Sequence, residues 1–228
     1  MMEYYVARTI PRSGRDREIS SALEELGVST INESQGKYGL FDPSIRPVSV
    51  GLKIAGPAIT VKSLEGDNLM LHAAIDVARR DDVLVVNAGG LNNYGMFGEL
   101  MGTLSIAKGI RALITESSVR DAKELRELGF PVWSHGVCSL GTSKNTPGWV
   151  NVPITCGGQI VNPGDFVVAD DDGVVVVKRE NVDDVISAAK DRQNSEAKLR
   201  HMFEKGESSM DLLNLRNMLK ETGVVYRN

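Results

Sequence analysis

The 228-residue chain is 42% hydrophobic, enough to bury a full-sized core, and its length suits one compact domain better than two small ones. Its 26 basic and 30 acidic residues give a net charge of -4, with both signs spread along the chain, which argues against nucleic acid as a partner. No apolar run approaches the roughly 18 residues of a membrane span, and the segment MMEYYVARTIPRSGRDREI lacks a signal-peptide core, so no membrane partner and a cytoplasmic location are expected.

Residues 16 to 27, DREISSALEELG, carry apolar positions at helical spacing and stop at Gly27. A turn-rich stretch, GKYGLFDPSIRP, leads to VGLKIAGPAITVKS, whose β-branched residues around Gly56-Pro57 predict two strand pieces or one bulged strand. NLMLHAAIDVARR reads as an amphipathic helix capped by Asp67 or Asn68. DDVLVVNAGG is a short apolar run between charges and glycines, as expected of a strand buried on both faces. A helix near 98 to 108, the strand RALITES, a helix beginning near Val119 and the strand FPVWSHG continue the alternation, which predicts an α/β fold with parallel pairing at its centre. From Val150 the texture turns to β, with three short strands expected and DDDG as a hairpin turn between the last two. A long charged helix begins at NVDDVISAAK, and residues 207 to 228 add a further short helix.

Open parallel sheets gather ligands at the carboxyl ends of their strands. After DVLVV, the loop NAGGLNNYGMFGE supplies four glycines, which on one reading only shape a long surface loop and on the other open a helix whose first amides, at Glu99, Leu100 and Met101, bind a carboxylate or phosphate. After RALIT comes ESSVRDAKE. With Ser118 as N-cap, Asp121 completes a Ser-x-x-acid capping arrangement and Arg120 is solvated. The other reading makes Arg120 a fixed positive charge for a carbonyl or enolate oxygen, with Asp121 holding a divalent cation through water.

Other features point to structure. His72, His135 and His201 have no metal-ligand spacing, and Asp170-Asp171-Asp172 lacks the alternate-residue pattern of a calcium loop. Cys138 and Cys156 are too far apart for a CxxC pair and read as packing residues. Lys53, Lys62, Lys108 and Lys178 flank apolar segments, but nothing marks any of them as a Schiff-base lysine.

The string Gly98-Glu99-Leu100-Met101, then VRDAKE from Val119 to Glu124, then GTSKNTPGWVNVPITCGGQIVNPGDFVVADDDGVVVV, resembles a known family. It is similar to the class II pyruvate aldolases called 4-hydroxy-4-methyl-2-oxoglutarate or 4-carboxy-4-hydroxy-2-oxoadipate aldolase. These belong to the RraA-like superfamily, whose other branch contains the regulator of ribonuclease E activity. The resemblance runs from about Val6 to Glu207, so residues 1–206 are expected to form the aldolase domain and 207–228 an extension packed at a subunit contact.

It implies a swivelling β/β/α single domain with a central mixed, partly parallel sheet and flanking helices. It also implies that Gly98, Glu99, Leu100 and Met101 bind the pyruvyl carboxylate, that Arg120 contacts the C2 oxygen, and that Asp121 holds Mg2+ or Mn2+. Glu99 then lies near the metal's waters, and Glu196, in SEAKLR, reaches the site from an adjacent subunit of a homotrimer or homohexamer. Asn87 and Thr115 stand where many relatives have aspartates, and Met101 where they have leucine. The implied activity is metal-dependent cleavage of a 4-hydroxy-2-oxo di- or tricarboxylic acid to pyruvate and a keto acid, with oxaloacetate decarboxylation on the side. The rival expectations are a ribonuclease E regulator with an idle Arg-Asp pair, and a keto-acid-binding protein without turnover.

Overall fold

The computed structural model describes residues 3–89 and 93–227. The chain opens with strand β1 (Tyr5–Val6) and two consecutive helices, α1 (Asp16–Leu26) and α2 (Val28–Ser34). Gly27, at φ 80°, closes α1 by donating its N–H to Leu23 O and turns the chain directly into α2. The turn-rich stretch that follows contains only the short strand β2 (Arg46–Pro47). Then β3 (Ile54–Lys62), α3 (Leu69–Val77), β4 (Val83–Asn87), α4 (Glu99–Lys108), β5 (Ala112–Val119), α5 (Ala122–Leu128) and β6 (Val132–Val137) alternate. Short strands β7 (Trp149–Val150), β8 (Ile154–Cys156) and β9 (Gln159–Val161) precede the hairpin β10 (Phe166–Asp170) and β11 (Gly173–Val177). The chain ends in α6 (Val182–Glu204), α7 (Ser209–Leu212) and α8 (Leu215–Glu221).

Strands β3, β4, β5 and β6 pair in parallel, giving the main sheet the order β1-β7-β3-β4-β5-β6-β2. β3 is one strand serving two sheets. Residues 54–57 pair antiparallel with β10, and residues 58–62 pair parallel with β4. Gly56-Pro57 marks the change of partner, where a Cβ on Gly56 would lie 2.5 Å from Asp81 O. The pair that reads in sequence as a break is therefore the crossing point of a continuous strand.

Alternation along the central strands sets up the layers. Leu84 and Val86 face α3, α4 and α5, where they pack with Leu71, Phe97, Leu125 and Phe130. Val83 and Val85 point the other way, onto Val167, Ala169, Val174 and Val176 of the β10–β11 hairpin. The outer face of that hairpin, Phe166, Val168, Val175 and Val177, is covered by α1, α2 and the start of α6. The order is helices, sheet, sheet, helices. Burying each such Val, Leu or Phe contributes roughly 1.5–3 kcal/mol.

Two local expectations are corrected. Four strands, β8 to β11, follow Val150 where three are expected, because Gly157 (φ 56°) and Gly158 (φ 76°) form a tight turn between β8 and β9. The helix expected from Val119 starts at Ala122, because β5 continues through the buried Ser118 to Val119. The DDDG hairpin forms as read, with Asp170 opposite Gly173. α6 buries Val182, Val185 and Ala189 near its start, and α7 and α8 contribute no buried residue. Among the described residues, no helix is long and apolar enough to cross a membrane.

Candidate active site

The carboxyl ends of β4 and β5 lie side by side because the two strands pair in parallel through Val86 and Thr115. The glycine loop after β4 is described from Asn93 onward, and its residues 90–92 lie outside the described residues. That described part runs along the extension of β5: Gly95 bridges to Ser118, Met96 N–H donates to Ser118 O (2.9 Å), and Arg120 N–H donates to Phe97 O (2.8 Å). The glycine loop and the Arg120-Asp121 turn are thus joined by backbone bonds.

Close approach explains two of the loop's glycines. A Cβ on Gly95 would lie 2.4 Å from Cys138 O and 2.7 Å from Arg120 Cβ, and one on Gly98 would lie 2.4 Å from Asp121 Oδ2. Neither has a positive φ, so the requirement is space and not backbone conformation. The acid after the glycine answers the same geometry: Glu99 N–H donates to Asp121 Oδ2 at 3.1 Å. The Asp121 carboxylate sits on the positive end of α4, where a negative charge is favoured.

The capping arrangement expected at Ser118 does not form. Ser118 lies inside β5, and Asp121 occupies the N-cap position of α5 in the left-handed region (φ 53°, ψ 41°) without a side-chain bond to its own helix. A non-glycine residue held there costs of order 1 kcal/mol. The conformation aims the carboxylate across to α4. Arg120 Nε lies 3.6 Å from Asp121 Oδ2, and both side chains are a little under half exposed. Arg120, Asp121, Gly98 and Glu99 therefore come together.

The first main-chain N–H of α4 to find a partner in its own helix is that of Gly102, on Gly98 O (3.0 Å). With the Glu99 amide given to Asp121, Leu100 and Met101 are the first-turn amides left for an external anion. Glu99 Oε1 accepts from Thr103 Oγ1 (3.3 Å), so its side chain lies along the helix. Glu196 is not brought to this cluster. It pairs with Arg192 (2.8 Å) on α6, whose packed end lies beyond the β10–β11 layer on the other side of the molecule. Asn87 Nδ2 donates to Thr155 O (2.6 Å) and the buried Thr115 Oγ1 donates to Val86 O (3.3 Å), so both tie strands together.

The opposite wall is the loop after β6. Cys138 N–H donates to Val119 O, Leu140 O accepts from Gly95 N–H, and Gly141 lies beside the Arg120 guanidinium, with Nη1 3.5 Å from where its Cβ would stand. Sequence reasoning assigns Asp67 only a capping role and overlooks Glu116. Asp67 is buried and accepts four hydrogen bonds, three of them from that loop. Glu116 lines a polar cavity of about 320 Å³ with Asp42, Ser44 and His135, and burial pushes its carboxyl up against a bond from Gly157 N–H. The bulge in β5 between Thr115 and Ser118 brings Glu116 opposite His135, a register irregularity with no sequence signal.

As a cation site the cluster offers oxygen only. Asp121 and Glu99 are hard donors suited to Mg2+ or Mn2+. Among the described residues no group of three or more His, Cys, Asp or Glu side chains could hold a metal ion.

The profile of the family described as RraA-like, Aldolase/RraA, matches residues 18–176. A candidate 4-hydroxy-4-methyl-2-oxoglutarate aldolase of Halalkalibacterium halodurans is 33% identical over 150 residues, 66% of this chain and 71% of that one. An uncharacterized protein of Methanocaldococcus jannaschii is 33% identical over 173 residues, covering 75% of this chain and 83% of its own. The crystal structure of Streptomyces coelicolor RraAS2, described as an unusual member of the RNase ES inhibitor RraA family, superposes with a TM-score of 0.74 at 30% identity. That match covers 83% of this chain and 99% of that one.

Proposed function

Since this chain belongs to the RraA-like family, we propose that it is a divalent-metal-dependent aldolase that cleaves a 4-hydroxy-2-oxo di- or tricarboxylic acid to pyruvate and a keto acid, with oxaloacetate decarboxylation as a side activity. One observation carries the reading: the bond from Glu99 N–H to Asp121 Oδ2 locks the anion-binding end of α4 to the Arg120-Asp121 turn. A carboxylate on the Leu100 and Met101 amides then has its neighbouring keto oxygen beside a permanent cation.

Breaking the C3–C4 bond leaves an electron pair on C3 that delocalises onto the C2 oxygen. Arg120, which cannot deprotonate, stabilises that developing charge. The C4 hydroxyl loses its proton through water to Glu99, or to Glu196 supplied by a second copy of the chain. Asp121, with Glu99 nearby, would hold a divalent ion, which when bound would supply Lewis-acid polarisation of the keto acid. Oxaloacetate yields the same enolate when carbon dioxide leaves, which is why one site serves both reactions.

An oligomer fits the site's rim. Leu100 (77% exposed), Val137 (59%) and Leu140 (52%) are exposed apolar side chains on the segments that carry the cluster, and the C-terminal segment exposes Leu213, Met218 and Tyr226 as well. Together with the homotrimer or homohexamer that the family resemblance implies, this exposed surface supports the proposal of such an assembly, with residues 207–228 packed at a subunit contact. The similarity to the S. coelicolor protein favours the second reading, a protein-binding regulator in which Arg120 and Asp121 do no chemistry. Pyruvate release from oxaloacetate, followed with and without Mg2+, separates the two. Turnover that needs metal and falls about 10²–10³-fold in Arg120→Ala supports the enzyme; no metal-dependent turnover, or turnover unchanged by that substitution, rejects it.

A further inference from the structure

The buried carboxylate of Asp67 lies outside the cluster just described, yet its bonds lead there. Asp67 is 2% exposed, in the turn between β3 and α3. Its Oδ1 accepts from Leu69 N–H (3.0 Å), a bond local to that turn. Its Oδ2 accepts from Ser143 Oγ (2.8 Å), Asn145 N–H (2.7 Å) and Thr146 N–H (2.9 Å), all in the loop after β6. Further bonds join the same two segments: Ser143 N–H donates to Gly66 O (2.8 Å), and Asn68 N–H donates to Ser143 O (3.0 Å). Followed backwards from Ser143, the loop reaches Gly141 beside the Arg120 guanidinium, then Leu140, whose carbonyl holds Gly95 of the glycine loop. Tyr94 of that loop packs its ring on Gly66, at 3.0–3.1 Å from where a Cβ would stand.

We propose that Asp67 is a positioning residue for the reaction: its carboxylate clamps residues 141–146 and so fixes the wall that confines Arg120 against the keto acid. The inference rests on the aldolase reading for its kinetic consequence but not for the clamp itself. A carboxylate suits the place because one oxygen meets three converging donors while the other meets a fourth. Burial opposes its ionisation, but the bonds from Asn145, Leu69, Ser143 and Thr146 outweigh burial and hold the carboxyl well below the usual range. Asparagine, with one carbonyl oxygen, serves the loop only by turning its NH2 toward the Leu69 amide. Alanine serves neither side.

The test compares Asp67→Ala, Asp67→Asn and Asp82→Asn in the full-length protein. Asp82 is an equally buried carboxylate, paired with Arg12 away from the loop, and controls for lost stability alone. Three readouts are taken: hydrogen exchange of residues 139–146, kcat and KM for oxaloacetate with Mg2+, and the melting temperature. Asp67→Ala is expected to release the loop amides to rapid exchange and to lower kcat about ten- to a hundredfold, the cost of misplacing a reacting group by about an ångström. KM should move much less, since the Leu100 and Met101 amides are untouched. Asp67→Asn should lie between, and Asp82→Asn should melt lower with kcat and loop protection unchanged.

The proposal is overturned if Asp67→Ala leaves loop exchange or kcat at the wild-type value, or if Asp82→Asn lowers kcat equally at matched folded fraction. Absence of turnover in the wild type would reject the aldolase reading separately. Exchange of residues 139–146 then decides the clamp alone, and unchanged protection in Asp67→Ala overturns it.

Discussion

Gly98→Ala is the smallest change that tests the geometry of this site. The added methyl would lie 2.4 Å from Asp121 Oδ2, 3.0 Å from Arg120 Cγ and 3.1 Å from Arg120 Nε. Contact at 2.4 Å cannot be relieved by bond-angle changes alone, so either the Asp121 carboxylate or the start of α4 must move by several tenths of an ångström. Moving the carboxylate breaks its bond from Glu99 N–H, and a hydrogen bond to a charged group is worth about 1.5–3 kcal/mol. Because the pair is well over a third exposed, solvent recovers part of that, and about 1–2 kcal/mol of net destabilisation is expected. In a chain of this length that lowers the melting temperature by roughly 2–8 °C. Activity should suffer more than stability, because Arg120 and the Leu100 and Met101 amides no longer converge: kcat should fall about a hundredfold.

A double-mutant cycle identifies the cause. If the methyl collides with the Asp121 carboxylate, then Asp121→Ala removes the target, and Gly98→Ala costs less in that background than in the wild type. A coupling of at least about 0.5 kcal/mol in thermal or urea unfolding is expected. Additive free energies, or a Gly98→Ala protein with wild-type stability and kcat, would refute the packing argument.

Three further outcomes follow from the fold. Arg12 forms a bidentate pair with the fully buried Asp82 (2.8 Å to each oxygen), so Arg12→Ala leaves a buried charge short of its partner and should cost about 3 kcal/mol by urea unfolding, without lowering kcat. The folded Asp67 carboxyl titrates well below the unfolded value near 3.9, so its stabilisation is complete above about pH 4 and is lost as pH falls through the folded pKa. Acid-unfolding curves of wild type and Asp67→Asn should therefore be most separated above pH ~4 and converge below it. Removing residues 207–228 should leave the far-ultraviolet circular dichroism of the core intact, since α7 and α8 bury nothing, while sizing chromatography reports a smaller assembly.

Much of the architecture was legible in the sequence because hydrophobic period carries it. VLVV in DDVLVVNAGG is buried on both faces as its unbroken apolar run predicts, and the DDDG turn and the helix over 16–26 form where they are read. Periodicity fails where backbone geometry decides. Gly157-Gly158 splits what reads as one strand into a hairpin, and β5 overruns the Ser118 capping signal because pairing with β6 continues through Val119. The site divides in the same way. Gly98-Glu99 and Arg120-Asp121 stand out as residues at strand ends, but the bond from Glu99 N–H to Asp121 joins positions 22 apart and has no local signature. Asp67 is harder still: its sequence neighbours suggest a helix cap, and its partners lie 76 to 79 residues away.

Glu196, expected at the site but not brought to the cluster within one chain, is also the most testable assignment. Beyond Ala189, α6 has no buried residue, and Glu196 is on that uncovered part, close to Arg192 and far in the layering from Arg120. If Glu196 serves a site, that site belongs to another copy of the chain. Arg120→Ala and Glu196→Ala chains should then each be poorly active alone, yet active when co-expressed, because some interfaces join an intact Arg120 to an intact Glu196. In a closed cyclic assembly mixed at random from equal amounts, about one interface in four is of that kind, so about a quarter of the wild-type activity should return. Size-matched oligomers without that recovery would exclude an intersubunit Glu196, and full activity of Glu196→Ala alone would leave Glu99 as the acceptor of the C4 hydroxyl proton.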